Sequence, residues 1–276
     1  MGAQTGIEWT DATWNPVTGC TNISLGCKNC YAERDFARMA ANPKLPSYLG
    51  RKFTDVRCHP ERLDAPLHWE KPRRVFVNSM SDLFHEDVPD EFIQGVFRTM
   101  AHATQHTFQI LTKRPERMRR YVLSTRNPAV IRLPNVWLGV SVENQPTADE
   151  RIPILLNTPA AMRFLSVEPM LERIDLQLEP RGGDAIGHHS IDWVIVGGES
   201  GPNARPCNLN WLLDIVRQCK AAGVPCFVKQ LGSRAIAPET PGFGAMCSDG
   251  FLRLRHNKGG YPAEWHESLR VREYPR

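Results

Sequence analysis

The stretch Gly19-Cys20-Thr21-Asn22-Ile23-Ser24-Leu25-Gly26-Cys27-Lys28-Asn29-Cys30 sets three cysteines on one short loop, six residues separating the first pair and two the second. Thiolates are soft ligands, so three on one loop can converge on one metal centre, with Gly19 and Gly26 permitting the turns. The stretch YAERDFARMA follows directly and carries Ala32, Phe36, Met39 and Ala40 at helical spacing. A helix that starts just after Cys30 favours thiolate over thiol. A four-iron cluster takes four ligands, so three cysteines leave one iron open to a chelating substrate or cofactor. A structural zinc, with Cys58 or His59 as fourth ligand, fits the same spacing. Three free cysteines without metal fit it as well.

These groups need a scaffold, and the rest of the chain repeats one. Short apolar runs recur as RVFVNSM (74–80), TFQILTK (107–113), NVWLGVSVE (135–143), MRFLSVE (162–168), DWVIVGGE (192–199) and PCFVKQLG (225–232). Each is rich in Val, Ile, Leu or Phe and bounded by turn residues, as buried parallel strands are. TWNPVTGC (13–20) reads as a further strand that Pro16 confines to an edge or shortens. Between the runs lie helices. Pro89-Asp90 starts one with a stripe of Phe92, Ile93, Val96, Phe97 and Met100. Thr147 and Glu150 have capping-box spacing ahead of Ile152, Leu155 and Leu156, with Pro153 inside the segment. Asn208 or Asn210 caps a helix carrying Trp211, Leu212, Ile215, Val216 and Cys219, and Gly223 lies past its end.

Strand and helix alternating in this way define an α/β fold with a parallel sheet. No glycine fingerprint for a nucleotide follows the early strands, whereas polar residues stand at the end of nearly every one: Asn78, Ser79 and Asp82, then Lys113, Ser141 and Glu143, Glu168, Glu199 and Lys229. That pattern suits a full or partial parallel β/α (TIM-like) barrel, whose loops converge on one mouth. The barrel is expected over residues 7–232, and a non-repetitive tail over 233–276 packs on it. Alternation along a strand sets Gly139, Ser141 and Glu143 on one face, Gln109 and Lys113 together, and Phe227 and Lys229 together. Residues 176–192, which include His188-His189, read as an exposed insertion.

The whole chain has 276 residues, 41% apolar and 23% charged, and folds without covalent staples at that size. Eight cysteines are too few for a disulfide scaffold, which leaves them available for other chemistry. Cys219 and Cys226 fall on core positions, and Cys58, Cys207 and Cys247 fall in loops or the tail. The net charge of +4 is too small to imply nucleic acid by itself. A local run does stand out: Lys113 to Arg120 holds five basic residues, with Lys71, Arg73 and Arg74 adding three more. It offers contacts for a phosphate backbone or an anionic substrate, or else a solvated helix face. No apolar stretch is long enough to span a membrane and no leader is visible, so a cytoplasmic location is expected. Hydrolytic triads and zinc-protease motifs are absent from the sequence.

A three-cysteine loop after the first strand of a parallel β/α barrel resembles the radical S-adenosylmethionine superfamily. More closely, IEWTDATWNPVTGC, GCKNCYAE, SMSDLF, LTKRPERM, GVSVE, LSVEPM, VGGESG and the tail KGGYPAEW resemble an uncharacterised three-cysteine protein family found in bacteria and phages. The resemblance implies that Cys20, Cys27 and Cys30 hold a [4Fe-4S] cluster whose open iron takes S-adenosylmethionine. One-electron reduction, from an electron donor, would then give a 5′-deoxyadenosyl radical that abstracts hydrogen from a substrate. By the same resemblance Asn78 and Ser79 face the methionine end of the cofactor, and Ser141, Glu143 and Glu168 the ribose. Lys113 and Lys229 stand as catalytic candidates that would hold an anionic substrate, including a nucleic-acid component. The chain departs from the superfamily pattern in its six-residue first spacing and in Asn29 before the last cysteine. The alternative is a zinc-stabilised nucleic-acid-binding barrel without radical chemistry.

Overall fold

The computed structural model describes residues 5–124, 133–179, 190–238, 243 and 247–275. Most of the expected insertion, including His188 and His189, lies outside the described residues. Every apolar run forms a strand. In chain order these are β1 (Ala12–Trp14), β2 (Val17–Thr18), β3 (Arg57–Cys58), β4 (Arg74–Val77), β5 (Thr107–Thr112), β6 (Val136–Ser141), β7 (Met162–Val167), β8 (Trp193–Gly197), β9 (Cys207–Asn208), β10 (Cys226–Gln230) and β11 (Ala235–Ile236). The helices are α1 (Tyr31–Ala40), α2 (Asp90–His102), α3 (Pro115–Ser124), α4 (Gln145–Leu156) and α5 (Leu209–Ala222).

Seven strands make one sheet in the order β1-β4-β5-β6-β7-β8-β10, while β2 pairs with β3 and β9 with β11 in two small ladders. The pairs β1–β4, β4–β5, β5–β6, β7–β8 and β8–β10 are all parallel. Strand order follows chain order without the reversal of a doubly wound sheet, so this mixed α/β fold is wound as a partial parallel barrel. β1 is one of the two edge strands, and Pro16 lies between it and β2. Among the described residues, no helix is long and apolar enough to cross a membrane.

The chain forms two compact units. The first comprises Met1–Val140 with Asn157–Met162. Its sheet buries Val75, Val77, Phe108 and Ile110, and α2 buries Ile93, Val96, Phe97 and Met100 from the expected stripe. Extended Pro89 precedes α2, and Asp90 and Glu91 in its first turn complement the helix dipole. A separate aromatic cluster of Phe36, Tyr48, Phe53, Ala32 and Met80 anchors α1, and Cys20 and Cys30 pack against it.

The second unit comprises Ser141–Leu156 with Arg163–Arg276. Its helix α5 is capped by Asn208, whose side chain accepts from the Asn210 N–H, and it ends on left-handed Gly223 at φ 68°. The capping-box expectation at Thr147 is corrected. Helix α4 starts earlier, at Gln145, because Asn144 Oδ1 accepts from the Thr147 N–H at 3.0 Å and Thr147 returns a hydrogen bond to the Asn144 carbonyl. The tail closes the free edge of β10. Val228 N donates to Val271 O, Glu273 N donates to Cys226 O, and the Arg272 guanidinium sits over the rings of Phe227 and Trp265. A covered edge cannot recruit a further strand.

Candidate functional site

The cysteine loop begins at a glycine that nothing else can replace. Gly19 has φ +93°, and a Cβ there would lie 2.6 Å from the Asp55 carbonyl oxygen. Its N–H donates to Met80 O and the Cys20 N–H to Phe53 O, which pins the first thiol to the aromatic cluster. Gly26 plays a different part from the one expected, lying buried inside a short 3-10 turn over Leu25–Cys27. The turn brings the Cys30 N–H to the Cys27 carbonyl at 3.2 Å, and Cys30 then serves as the N-cap of α1. Tyr31 ties this helix start to the segment after β4, its hydroxyl donating to the Ser79 carbonyl at 2.9 Å.

The three thiols sit in unequal surroundings. Burial pushes the Cys20 thiol up to about 11, Asp82 adds to the rise, and Arg114 opposes it. Burial also raises Cys30, against the pull of the Glu33 and Ala32 N–H groups and of the Lys113 charge. The charge of Cys27 acts on both of the others. Around Cys20 stands a polar group whose members the sequence named separately or not at all. Arg114 Nη1 lies 3.6 Å from Cys20 Sγ and 3.4 Å from Asp82 Oδ2, Nε reaches Glu86, and Nη2 reaches both oxygens of Thr21. Asp82 is held in turn by the Thr112 hydroxyl at 2.7 Å and by the Phe84 and Lys113 N–H groups. Buried His85 accepts from the Asp87 N–H at Nδ1, so Nε2 carries the proton it gives to Thr21 Oγ1 at 2.8 Å. Burial lowers the pKa of His85, which keeps it neutral.

In the same unit, Asn78 is 2% exposed and adopts φ 61°. Its Oδ1 accepts from the Val17 N–H, but its Nδ2 has no partner. The Ser79 hydroxyl donates to Asn15 Oδ1 at 3.2 Å. Gln109, fully buried on β5, leaves both amide atoms unpartnered. Position 109 lies in register with Phe76 on β4 and Trp137 on β6.

The second unit contains the other candidates. Glu143, fully buried, pairs with Arg151 at 3.1 Å, and Arg151 also donates to the Ser141 carbonyl. Glu168 accepts from Lys229 Nζ at 2.7 Å and from Gln230 Nε2 at 3.1 Å. Lys229, a catalytic candidate from the sequence, is thus already engaged by a carboxylate, that of Glu168. The Gly197-Gly198-Glu199 run serves packing: a Cβ on Gly198 would lie 2.3 Å from the Leu231 carbonyl oxygen, and Glu199 chelates the Arg205 guanidinium.

Arg114, Arg151 and Arg205 were missed as site-forming residues. Arg151 and Arg205 meet carboxylates eight and six residues away, while Arg114, named in the sequence only within its basic run, reaches Cys20 across 94 residues. The basic run does not form one free cationic face. Arg114 and Arg117 turn into internal ion pairs, and Arg74 pairs with Asp11. Cys219 and Cys226 are buried as expected, while Cys207, expected in a loop, is buried in β9. Both ring nitrogens of His59 are engaged, Nε2 with Thr18 and Nδ1 with Glu61. Among the described residues, no group of three or more His, Cys, Asp or Glu side chains is already gathered as a metal cage. The donor chemistry of the loop nevertheless suits a soft metal: three free thiols, each partly exposed, with the Arg114 and Lys113 cations acting on two of them.

Winding and loop together define a partial parallel β/α barrel with a three-cysteine loop on its first strand-to-helix connection. The chain belongs to the family described as protein of unknown function (DUF5131), which it matches over residues 4–259. No curated protein and no solved structure matches it.

Proposed function

We propose that the protein is an iron–sulfur protein of the radical S-adenosylmethionine type, with Cys20, Cys27 and Cys30 holding a [4Fe-4S] cluster. The observation that carries this reading is the loop itself, where three free thiols stand on one strand-to-helix connection and the Arg114 guanidinium donates to one of them. When bound, the cluster and S-adenosylmethionine supply one-electron cleavage of a sulfonium and hydrogen-atom abstraction from a substrate. The chain's own contribution is to hold and orient. The unpartnered Asn78 Nδ2 is a donor suited to the carboxylate of the cofactor's methionine end, with Ser79 beside it in sequence. The resemblance assigns the ribose to Ser141, Glu143 and Glu168. Lys113 and Lys229 are the cations offered to an anionic substrate, for which a nucleic-acid component is the class we favour, and an external electron donor is required. The engaged nitrogens of His59 favour iron over a zinc site completed by that residue.

Anaerobic reconstitution should give a brown protein with about four irons and four sulfides per chain. Cys27→Ala should abolish the colour. A colourless protein that takes up only zinc under those conditions contradicts the reading and favours a zinc-stabilised, nucleic-acid-binding barrel.

A further inference from the structure

We infer that Arg114 is a positioning residue that sets the reduction potential of the centre held by the cysteine loop, by making Cys20 its electrostatically distinct ligand. The inference rests on the iron–sulfur reading above and deepens it. Arg114 belongs to the run Lys113–Arg120, whose obvious use is to meet a solvent-borne anion, yet its side chain is only 9% exposed. Its planar fork instead serves four neighbours at once: Cys20 Sγ, Asp82, Glu86 and Thr21. A lysine ammonium could not span that set, because it is a point charge on a flexible stem.

The physics follows from where the charge sits. Reduction adds an electron to the centre, and a fixed cation hydrogen-bonded to a ligating sulfur stabilises the added negative charge. Burial raises the strength of that interaction relative to water. Asp82, buried to a similar degree, acts in the opposite sense, and 66%-exposed Glu86 does so more weakly through solvent screening. Thr21 and His85 contribute geometry. Thr21 Oγ1 accepts from both Arg114 and His85, which fixes the loop residue next to Cys20. Cys30 instead packs against the aromatic cluster, and the Glu33 and Ala32 N–H groups of the first turn of α1 act on its thiol together with the Lys113 charge.

A purely structural clamp would respond to loss of either partner in the same way, whereas an electrostatic one gives opposite signs. The test uses the full-length protein, reconstituted anaerobically with iron and sulfide. The midpoint is read by electron paramagnetic resonance during a redox titration, and iron content is measured on every sample. Arg114→Gln should lower the midpoint, so that the reduced-to-oxidised ratio at the wild-type midpoint falls about tenfold, equivalent to about 59 mV for a one-electron couple. Arg114→Lys should recover part of that loss. Asp82→Asn should move the midpoint upwards, and Glu86→Gln upwards by less. Exposed Glu86 is the safeguard if either buried variant fails to fold. An Arg114→Gln protein with wild-type iron and an unchanged midpoint overturns the inference. So do Arg114→Gln and Asp82→Asn shifts of the same sign, or a downward shift in Glu86→Gln. A wild-type chain that takes up no iron fails at the loading step instead, which overturns the iron–sulfur reading and this inference with it.

Discussion

The two compact units treat their buried polar groups differently. In the second, buried charge is matched by opposite charge: Glu143 by Arg151, Glu168 by Lys229 and Glu199 by Arg205. In the first, neutral amides are left short of partners at Asn78 and Gln109, and the same unit carries three partly exposed thiols on the chain's first strand-to-helix loop. Buried polar atoms in folded proteins are nearly always satisfied, so a local excess of unsatisfied ones marks where a ligand or ordered water completes the structure. A charged pair that already satisfies each partner is held in orientation, and its carboxylate keeps lone pairs for a further donor. The first unit thus holds most of the unsatisfied buried polar atoms, whereas in the second Glu143, Glu168 and Lys229 stand as members of preformed pairs.

The largest expected effect comes from breaking a matched pair. Arg151→Met leaves the Glu143 carboxylate buried without its cation, and chemical denaturation should show a loss of about 3–5 kcal/mol. Adding Glu143→Gln to that variant should recover a large part of it; an Arg151→Met protein as stable as wild type would dissolve the contrast. Next is the close approach of β8 to the segment after β10. Gly198→Ala forces a methyl to within 2.3 Å of the Leu231 carbonyl and should cost about 3 kcal/mol on the same denaturation scale. In the first unit the sign reverses. Gln109→Met removes an unpartnered amide at nearly constant volume and should stabilise the ligand-free chain by about 1 kcal/mol. Destabilisation by that amount would show that the amide is satisfied after all.

The smallest effect is a pH dependence. Burial lowers the pKa of His106 below its ordinary 6.5, so the folded state binds its proton less readily than the unfolded chain. Its contribution to stability is complete above the unfolded value and is lost as pH falls through the lowered folded value. Between about pH 7 and pH 5 the urea midpoint of wild type should therefore drop more steeply than that of His106→Gln. Parallel curves would remove His106 from the account.

Much of the frame was legible because it depends on local signals. Runs such as RVFVNSM and DWVIVGGE became β4 and β8, and Asn208 and Gly223 bound α5 as their chemistry requires. The start of α4 was misread because Thr147-x-x-Glu150 imitates a capping box, while Asn144, three residues earlier, captures the Thr147 N–H. The cysteine loop was legible as three thiols on one connection, but its electrostatics were not. Arg114 meets Cys20 across 94 residues and Asp82 across 32, separations that only the β4–β5 pairing and the loop after β1 bring together. Seen along the chain, the same arginine is one basic residue in a charged run. Likewise, the pairing of Glu143 with Arg151 depends on α4 folding back beside the end of β6.

One measurement bears most directly on the claim that the three-cysteine loop carries a redox centre with an open coordination site. The protein is reconstituted anaerobically and reduced, and its electron paramagnetic resonance spectrum is recorded before and after S-adenosylmethionine is added. The account predicts a reduced [4Fe-4S] signal that changes shape on addition and is absent from Cys20→Ala. A reduced signal indifferent to S-adenosylmethionine, or no iron signal from a folded wild-type chain, would contradict it.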